Sequence, residues 1–410
     1  MNIKINPTVL GGNIEAPASK SVAHRMLICA ALAKDKSVIK INKTSDDIEA
    51  TVGCLESLGV RIEKNGAEYT VIPPSAFPKT AELDCGESGS TLRFMLPVTA
   101  ALGIDAVFTA HGRLPSRPID TLLDEMRSHG IVCDGQFPLH ISGRLTAGKY
   151  TVAGNISSQF ITGLLLALPL CDGDSEIEVI PPIESAPYIN ITASVLSLFG
   201  INTFKENNTY SIRHSDFHGG CFSAEGDWSN AAFLLCIGAG VGGLMADSTQ
   251  GDRKIIDVLC SFGAEITEEN GTFRADVSSL LSADIDAADI PDLVPVISAV
   301  ASTAQGTTRI YNASRLRLKE SDRIESTVSM INSLGGDATA TDDGIIIHGK
   351  PTLTGGTVDS YGDHRIVMSA AVASLKCTGC VIINNAQAVS KSYPEFFNDF
   401  NSLGGDANVM

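Results

Sequence analysis

The sequence predicts an α/β protein of two domains, each built from three βαβαββ units. Three observations carry that expectation. A phrase of helix, glycine, strand, polar turn and strand recurs along the whole chain. Its glycines stand 63 to 72 residues apart. Between successive copies there is room for one further strand and one further helix, which completes the unit.

The copies are LESLGVRIEKNGAEYTVI around Gly59, MRSHGIVCDGQFPLHIS around Gly130, LSLFGINTFKENNTYSIR around Gly200, LCSFGAEITEENGTFRADV around Gly263 and INSLGGDATATDDGIIIHG around Gly335. A truncated sixth, FNSLGGDANVM, surrounds Gly404. In each, the glycine falls where an amphipathic helix must stop, at the position that needs a positive φ. Asn65-Gly66, Asn207-Asn208, Asn270-Gly271 and Asp343-Gly344 are hairpin turn signals. Repeats this long do not suit a solenoid, and two groups of three, each around its own helical core, fit the length. Gly238 to Gly243 matches G-x-G-x-x-G but follows a helix-like run, Ala231 to Ile237, so it reads as a helix stop and turn, not a dinucleotide fingerprint.

Composition narrows the function. The chain has 410 residues, is 44% hydrophobic and carries a formal net charge of -17. Such acidity argues against nucleic acid or an anionic membrane surface as partner. The N-terminus has no apolar signal core, and the most apolar run, Ala231 to Ala246, falls short of the ~18 residues that suggest a span. Ten cysteines in a chain this long read as buried thiols in a reducing cytoplasm. Cys377 and Cys380 make one C-x-x-C without a second pair, and His214 and His218 lie in a loop-like stretch, so no metal site is expected.

Against that acidity, cations gather at predicted helix starts and tight turns. Ser19-Lys20-Ser21 to Arg25 and Lys319 to Arg323 each place two groups four apart, read as one helical face. Cations there oppose the helix dipole, unless an anion sits between them on the free N–H groups of the first turn. Asp84 to Arg93 is a small-residue turn before an apolar helix, either an ordinary cap or an anion cradle around Gly89. Arg117, fixed between Pro115 and Pro118, suits a surface turn or bidentate capture of an anion. Ser157-Ser158-Gln159 opens the apolar helix Phe160 to Leu170, as an N-cap or as a phosphate seat. Ser185 and Tyr188 precede another helix. Asp292 is a lone carboxylate before an apolar helix, as an N-cap or as a reactive group. Gly362-Asp363-His364-Arg365 puts a cation at a further helix start, and Lys391 precedes Pro394, read as a first helical residue.

Taken in order, Ser19-Lys20-Ser21…Arg25, Gly86…Gly89-Ser90…Arg93, Arg117-Pro118, Ser157-Ser158-Gln159-Phe160, Ser185…Tyr188, Pro291-Asp292, Lys319-Glu320-Ser321-Asp322-Arg323, Asp363-His364-Arg365 and Lys391 resemble the 5-enolpyruvylshikimate-3-phosphate synthase family over essentially the whole chain. The resemblance implies the two-domain enolpyruvyl transferase fold, an inside-out α/β barrel with three βαβαββ repeats per domain. Residues 1–19 plus 227–410 would form one domain and 20–226 the other, with the active site in the cleft between them. It implies transfer of the enolpyruvyl group of phosphoenolpyruvate to the 5-hydroxyl of shikimate 3-phosphate, without metal or organic cofactor, in a cytoplasmic monomer. Lys20, Ser21, Arg25, Ser157, Ser158, Gln159, Ser185, Tyr188, Asp292 and Lys319 would hold shikimate 3-phosphate. Lys20, Gly89, Arg117, Gln159, Lys319, Arg323, Arg365 and Lys391 would hold phosphoenolpyruvate, where glyphosate would compete. Asp292 is the candidate base with Lys319 beside it, and Lys20 and Glu320 are candidate proton donors. Ser90 stands where this family more often has Thr, Phe94 where many members have Pro, and Gly362 where Asn is common.

Two rivals share parts of this pattern. UDP-N-acetylglucosamine enolpyruvyl transferases share the fold and the donor but carry a reactive Cys near the Arg117 region, and His111 to Arg117 contains none. A sliding-clamp-like ring also uses sixfold repeats, but needs cations spread along pore-facing helices instead of at helix starts.

Overall fold

The computed structural model describes residues 1–410. The chain divides into two compact units, Met1–Ser19 with Glu225–Met410, and Lys20–Ala224. The second crossover therefore falls at Ala224–Glu225, two residues ahead of the boundary suggested by the sequence. Each unit contains three four-stranded sheets.

One sheet shows how a repeat folds. Lys149–Ala153 runs parallel to Ser175–Ile180, with the helix Ser158–Ala167 between them in sequence. Parallel neighbours need such a crossover. The helix Ala186–Leu198 then leads to a hairpin, Thr203–Glu206 and Thr209–Ile212, whose second strand pairs antiparallel with Ser175–Ile180. All six phrase glycines have positive φ, from 84° to 100°, as the helix stop requires. Asn207, at φ 53°, and Asn270-Gly271, at 52° and 75°, supply the hairpin twist.

The truncated sixth repeat is completed by the other end of the chain. Ile3–Ile5 lies between Val381–Asn384 and Ala407–Val409, antiparallel to both. In the Lys20–Ala224 unit, Cys221–Ser223 likewise returns to run parallel to Ser37–Lys40.

Each unit has helices that are apolar nearly all round. Trp228–Cys236, Val294–Ala301 and His364–Ser374 are buried at every residue and form the heart of one core. In the other unit, Gly89–Leu102 packs on Ser158–Ala167. Pro97 cannot donate to the Arg93 carbonyl, and a Cβ at Gly163 would stand 2.2 Å from that same oxygen. Glycine there permits the close approach that brings Gln159 to Arg93.

The G-x-G-x-x-G stretch corrects one expectation. Gly238 ends the helix at φ 80°, but Gly240–Gly242 is a strand and not a turn. Added Cβ atoms there would meet Asn13 at 2.2 Å and Glu15 at 2.4 Å, so the glycines make room for neighbouring side chains.

Candidate active site

In the unit that contains both termini, five predicted residues form one charged cluster. Asp292 lies in a single 3-10 turn, Pro291–Leu293, just before Val294–Ala301, and caps no helix. Its carboxylate accepts from Arg323 Nη1 at 2.7 Å and Arg365 Nη2 at 2.9 Å, and Lys319 Nζ lies 3.5 Å away. Arg365 Nη1 also donates to the Asp292 carbonyl at 3.1 Å. Glu320 accepts from Arg323 Nη2 at 2.6 Å. Burial alone would raise the Asp292 pKa, but Arg365, Lys319 and Arg323 outweigh it and hold the carboxyl well below its usual range.

Arg323 is 1% exposed and is gripped from behind by Asp363, which the sequence places in a turn. Asp363 takes Arg323 Nε at 2.7 Å and Nη2 at 3.4 Å, accepts from Ser321 at 3.1 Å, and caps His364–Ser374 through the Arg365 N–H at 3.0 Å. Burial lowers the Arg323 pKa, and the carboxylates of Asp363, Glu320 and Asp292 more than reverse it.

Two local expectations are corrected here. Lys319 and Arg323 do not share a helical face. Lys319 is extended, and the helix Arg323–Ser333 begins only after Asp322, which caps it by accepting the Glu325 N–H. Lys391 ends the 3-10 stretch Ala386–Lys391, which packs on the Arg365 helix. Pro394 is not helical, because the last helix starts at Phe396.

A further buried carboxyl, Asp252, was not read from the sequence. Burial, then the like charge of Asp292, raises its pKa to about 6. The native state thus holds this proton more tightly than the unfolded chain, and stability falls as pH rises from the ordinary 3.8 towards about 6. Asp252→Asn should therefore raise the melting temperature at pH 8 and change it little at pH 4. Equal shifts at the two pH values would contradict this.

In the other unit, Lys20 is the first residue of the helix Lys20–Leu32, and its Nζ donates to Asp47 at 2.8 Å. One turn on, Arg25 is 2% exposed and donates only to neutral oxygens: Thr192, Thr162 and the carbonyls of Ser21 and Tyr188, at 2.6 to 3.2 Å. Burial lowers its pKa to about 9. A buried guanidinium without a carboxylate leaves a local positive field for an anion. Ser21 and Arg25 do share a helical face.

Ser157 caps the helix Ser158–Ala167 by accepting the Gln159 N–H, and Ser158 is buried. Gln159 accepts from Arg93 at 3.1 Å and donates to Ser90 at 3.0 Å. Arg93 also reaches the carbonyls of Gly89 at 3.4 Å and Pro118 at 3.1 Å, tying the Gly89, Gln159 and Arg117 segments together. A Cβ at Gly89 would stand 2.6 Å from Arg93 Nη1 and 3.0 Å from Arg117 Nη1. Ser185 is left-handed, φ 55°, and its hydroxyl does not cap the Tyr188 helix. A left-handed backbone at a serine costs about 1–3 kcal/mol, so the surrounding structure holds Ser185 in that shape.

Each unit thus presents cations at the first turns of helices, joined in the Lys20–Ala224 unit by serine hydroxyls, an arrangement suited to phosphate and carboxylate groups. No helix is long and apolar enough to cross a membrane. The family model for EPSP synthase (3-phosphoshikimate 1-carboxyvinyltransferase) matches residues 5–400. The chain is 44% identical to the 3-phosphoshikimate 1-carboxyvinyltransferase of Clostridium kluyveri, over 98% of this chain and 97% of that one. It is 39% identical to the protein of that name from Clostridioides difficile, over 98% of each. Among solved structures, EPSP synthase from Acinetobacter baumannii matches with TM-score 0.81 and 26% identity over the full length of both chains. The enolpyruvyl transferase NikO from Streptomyces tendae shares the fold, with TM-score 0.80 at 17% identity over 99% of this chain and 98% of that one.

Proposed function

The chain belongs to the EPSP synthase family, and from that premise we propose how its residues divide the work of the reaction. It transfers the enolpyruvyl group of phosphoenolpyruvate to the 5-hydroxyl of shikimate 3-phosphate and releases phosphate, a step of the shikimate pathway. Two charged groups are joined, so the protein must neutralise anions while moving protons.

Arg25, Ser21, Ser157, Ser158, Ser185 and Tyr188 take shikimate 3-phosphate, supported by the uncompensated charge of Arg25. Arg117, Gly89, Gln159, Lys319, Arg323, Arg365 and Lys391 take phosphoenolpyruvate. Asp292 receives the proton of the 5-hydroxyl as that oxygen bonds to C2 of the donor, and C3 is protonated to a methyl group. Elimination removes a methyl proton and expels phosphate. Lys20 and Glu320 are the proton carriers at that carbon. The observation that carries this reading is the Asp292 cluster. Held by three cations, the carboxylate is a weak base. A donor molecule that draws Lys319 and Arg365 onto its own oxygens releases Asp292 to act only once the substrates are bound. A cytoplasmic monomer accompanies this reading, and all ten cysteines are free.

Because this reading takes Gly89, Arg117 and Gln159 from one unit and Lys319, Arg323, Arg365 and Lys391 from the other, a donor that engages both groups should draw the chain together. Small-angle scattering should show a smaller radius of gyration with shikimate 3-phosphate and an unreactive donor analogue. An unchanged radius would count against shared contacts. Gly89→Ala should displace the Arg93 and Arg117 guanidiniums and narrow the donor site. The inhibition constant of glyphosate, a longer molecule, should then rise by a larger factor than the Michaelis constant for phosphoenolpyruvate. Equal factors would remove Gly89 from the wall of that site.

A further inference from the structure

Behind Lys20 and Gly89 runs a polar thread with no role in the scheme above. His24 Nδ1 lies 2.7 Å from Thr51 Oγ1. Thr51 Oγ1 lies 2.7 Å from Thr91 Oγ1, which donates to Ser88 Oγ at 2.7 Å. All four side chains are 0% exposed. They come from three helices, Lys20–Leu32, Asp46–Ser57 and Gly89–Leu102, the last capped by Ser88, which accepts the Thr91 N–H at 3.2 Å.

Apolar side chains would fill this space without the desolvation cost of four polar groups. These groups largely satisfy one another, so removing one strands its neighbour. The proton order follows from burial. Burial lowers the His24 pKa to about 3, so the ring is neutral and has one N–H. Its Nε2 is buried and has no hydrogen-bond partner. An orphaned N–H is disfavoured more than an orphaned lone pair, so the proton sits on Nδ1 and points to Thr51. Thr51 then donates to Thr91, and Thr91 to Ser88. The thread has one direction, from the Lys20 helix to the turn ahead of Gly89.

The thread touches the site at both ends. Lys20 lies one turn before His24, and Asp47, its ion-pair partner, one turn before Thr51. Thr91 also approaches the Asp47 carbonyl at 3.4 Å. The Phe94 and His24 rings meet at 86°, with centroids 6.4 Å apart, and the Arg25 guanidinium lies 4.9 Å from the Phe94 ring centroid. We infer that His24, Thr51, Thr91 and Ser88 are positioning residues acting as one unit, fixing the Gly89 turn against the Lys20–Asp47 pair so that donor and proton carrier meet in register. This inference rests on the reading that Lys20 and Gly89 serve the reaction.

The test uses the full chain and steady-state kinetics with phosphoenolpyruvate and shikimate 3-phosphate. Thr51→Val and Thr91→Val keep the side-chain shape and remove the hydroxyl. Each should lower kcat/KM for the donor by about tenfold, the scale expected when reacting groups lose sub-ångström register. The double variant should lose little more than the worse single one, because one break disables the whole unit. His24→Asn, which puts an amide N–H near the Nδ1 position, should recover most of what His24→Leu loses. Unchanged kcat and KM with a lowered melting temperature would overturn the inference, as would double-variant losses that simply multiply. Lys20→Met separates the two failures. If it retains wild-type turnover, the reading of the site fails. If it loses turnover while the valine variants do not, only the positioning role of the thread fails.

Discussion

Asp292→Asn is expected to fold and to bind shikimate 3-phosphate, yet to lose turnover by on the order of 10²–10⁴-fold, the scale of a removed general base. The substitution keeps the shape of the side chain and deletes one negative charge among Arg323, Arg365 and Lys319. With that charge gone, the cluster becomes more cationic, so donor affinity should hold or rise while kcat falls. Stopped-flow or calorimetric binding beside steady-state rates separates the two. Parallel loss of donor affinity and kcat would make Asp292 a scaffold for the arginines and not a base.

Asp363→Ala should have the largest effect on stability, about 3–5 kcal/mol, because it breaks a buried ion pair and leaves the charge of Arg323 undercompensated. Asp363 and Arg323 are 0% and 1% exposed at their side chains, so water cannot replace the lost bonds. The same carboxylate caps His364–Ser374, and losing a cap adds about 1 kcal/mol. Urea unfolding should show the midpoint falling, with Asp363→Asn intermediate because it can still cap. A loss of less than about 1 kcal/mol would mean that Glu320 and Asp292 suffice to hold Arg323.

The repeat was legible in the sequence because its mark is local. A helix that must turn into a strand needs a positive φ, and glycine at 59, 130, 200, 263, 335 and 404 supplies it. What completes the last repeat was not legible from periodicity. Ile3–Ile5 pairs with strands nearly four hundred residues away, and nothing in a three-residue strand names its partner. Of the charged residues, Asp292, Lys319, Glu320, Arg323 and Arg365 converge in the structure, and their residue types at helix starts were the signal. The spacing of Lys319 and Arg323 misled, because a four-residue interval was read as helix although Asp322, with Glu325 three residues on, marks where the helix begins. The supporting residues were harder to see. Asp47, Arg93 and Asp363 act on other side chains of the site, through pairings that exist only after folding. The hydroxyls of Thr51 and Thr91 sit within helices whose dominant signal is their apolar pattern.

The most direct test of the account is acceptor-dependent phosphate release. With phosphoenolpyruvate present, adding shikimate 3-phosphate should release one phosphate per acceptor consumed and form its enolpyruvyl ether. UDP-N-acetylglucosamine in its place should release none. Release with the sugar nucleotide but not with shikimate 3-phosphate would contradict the account.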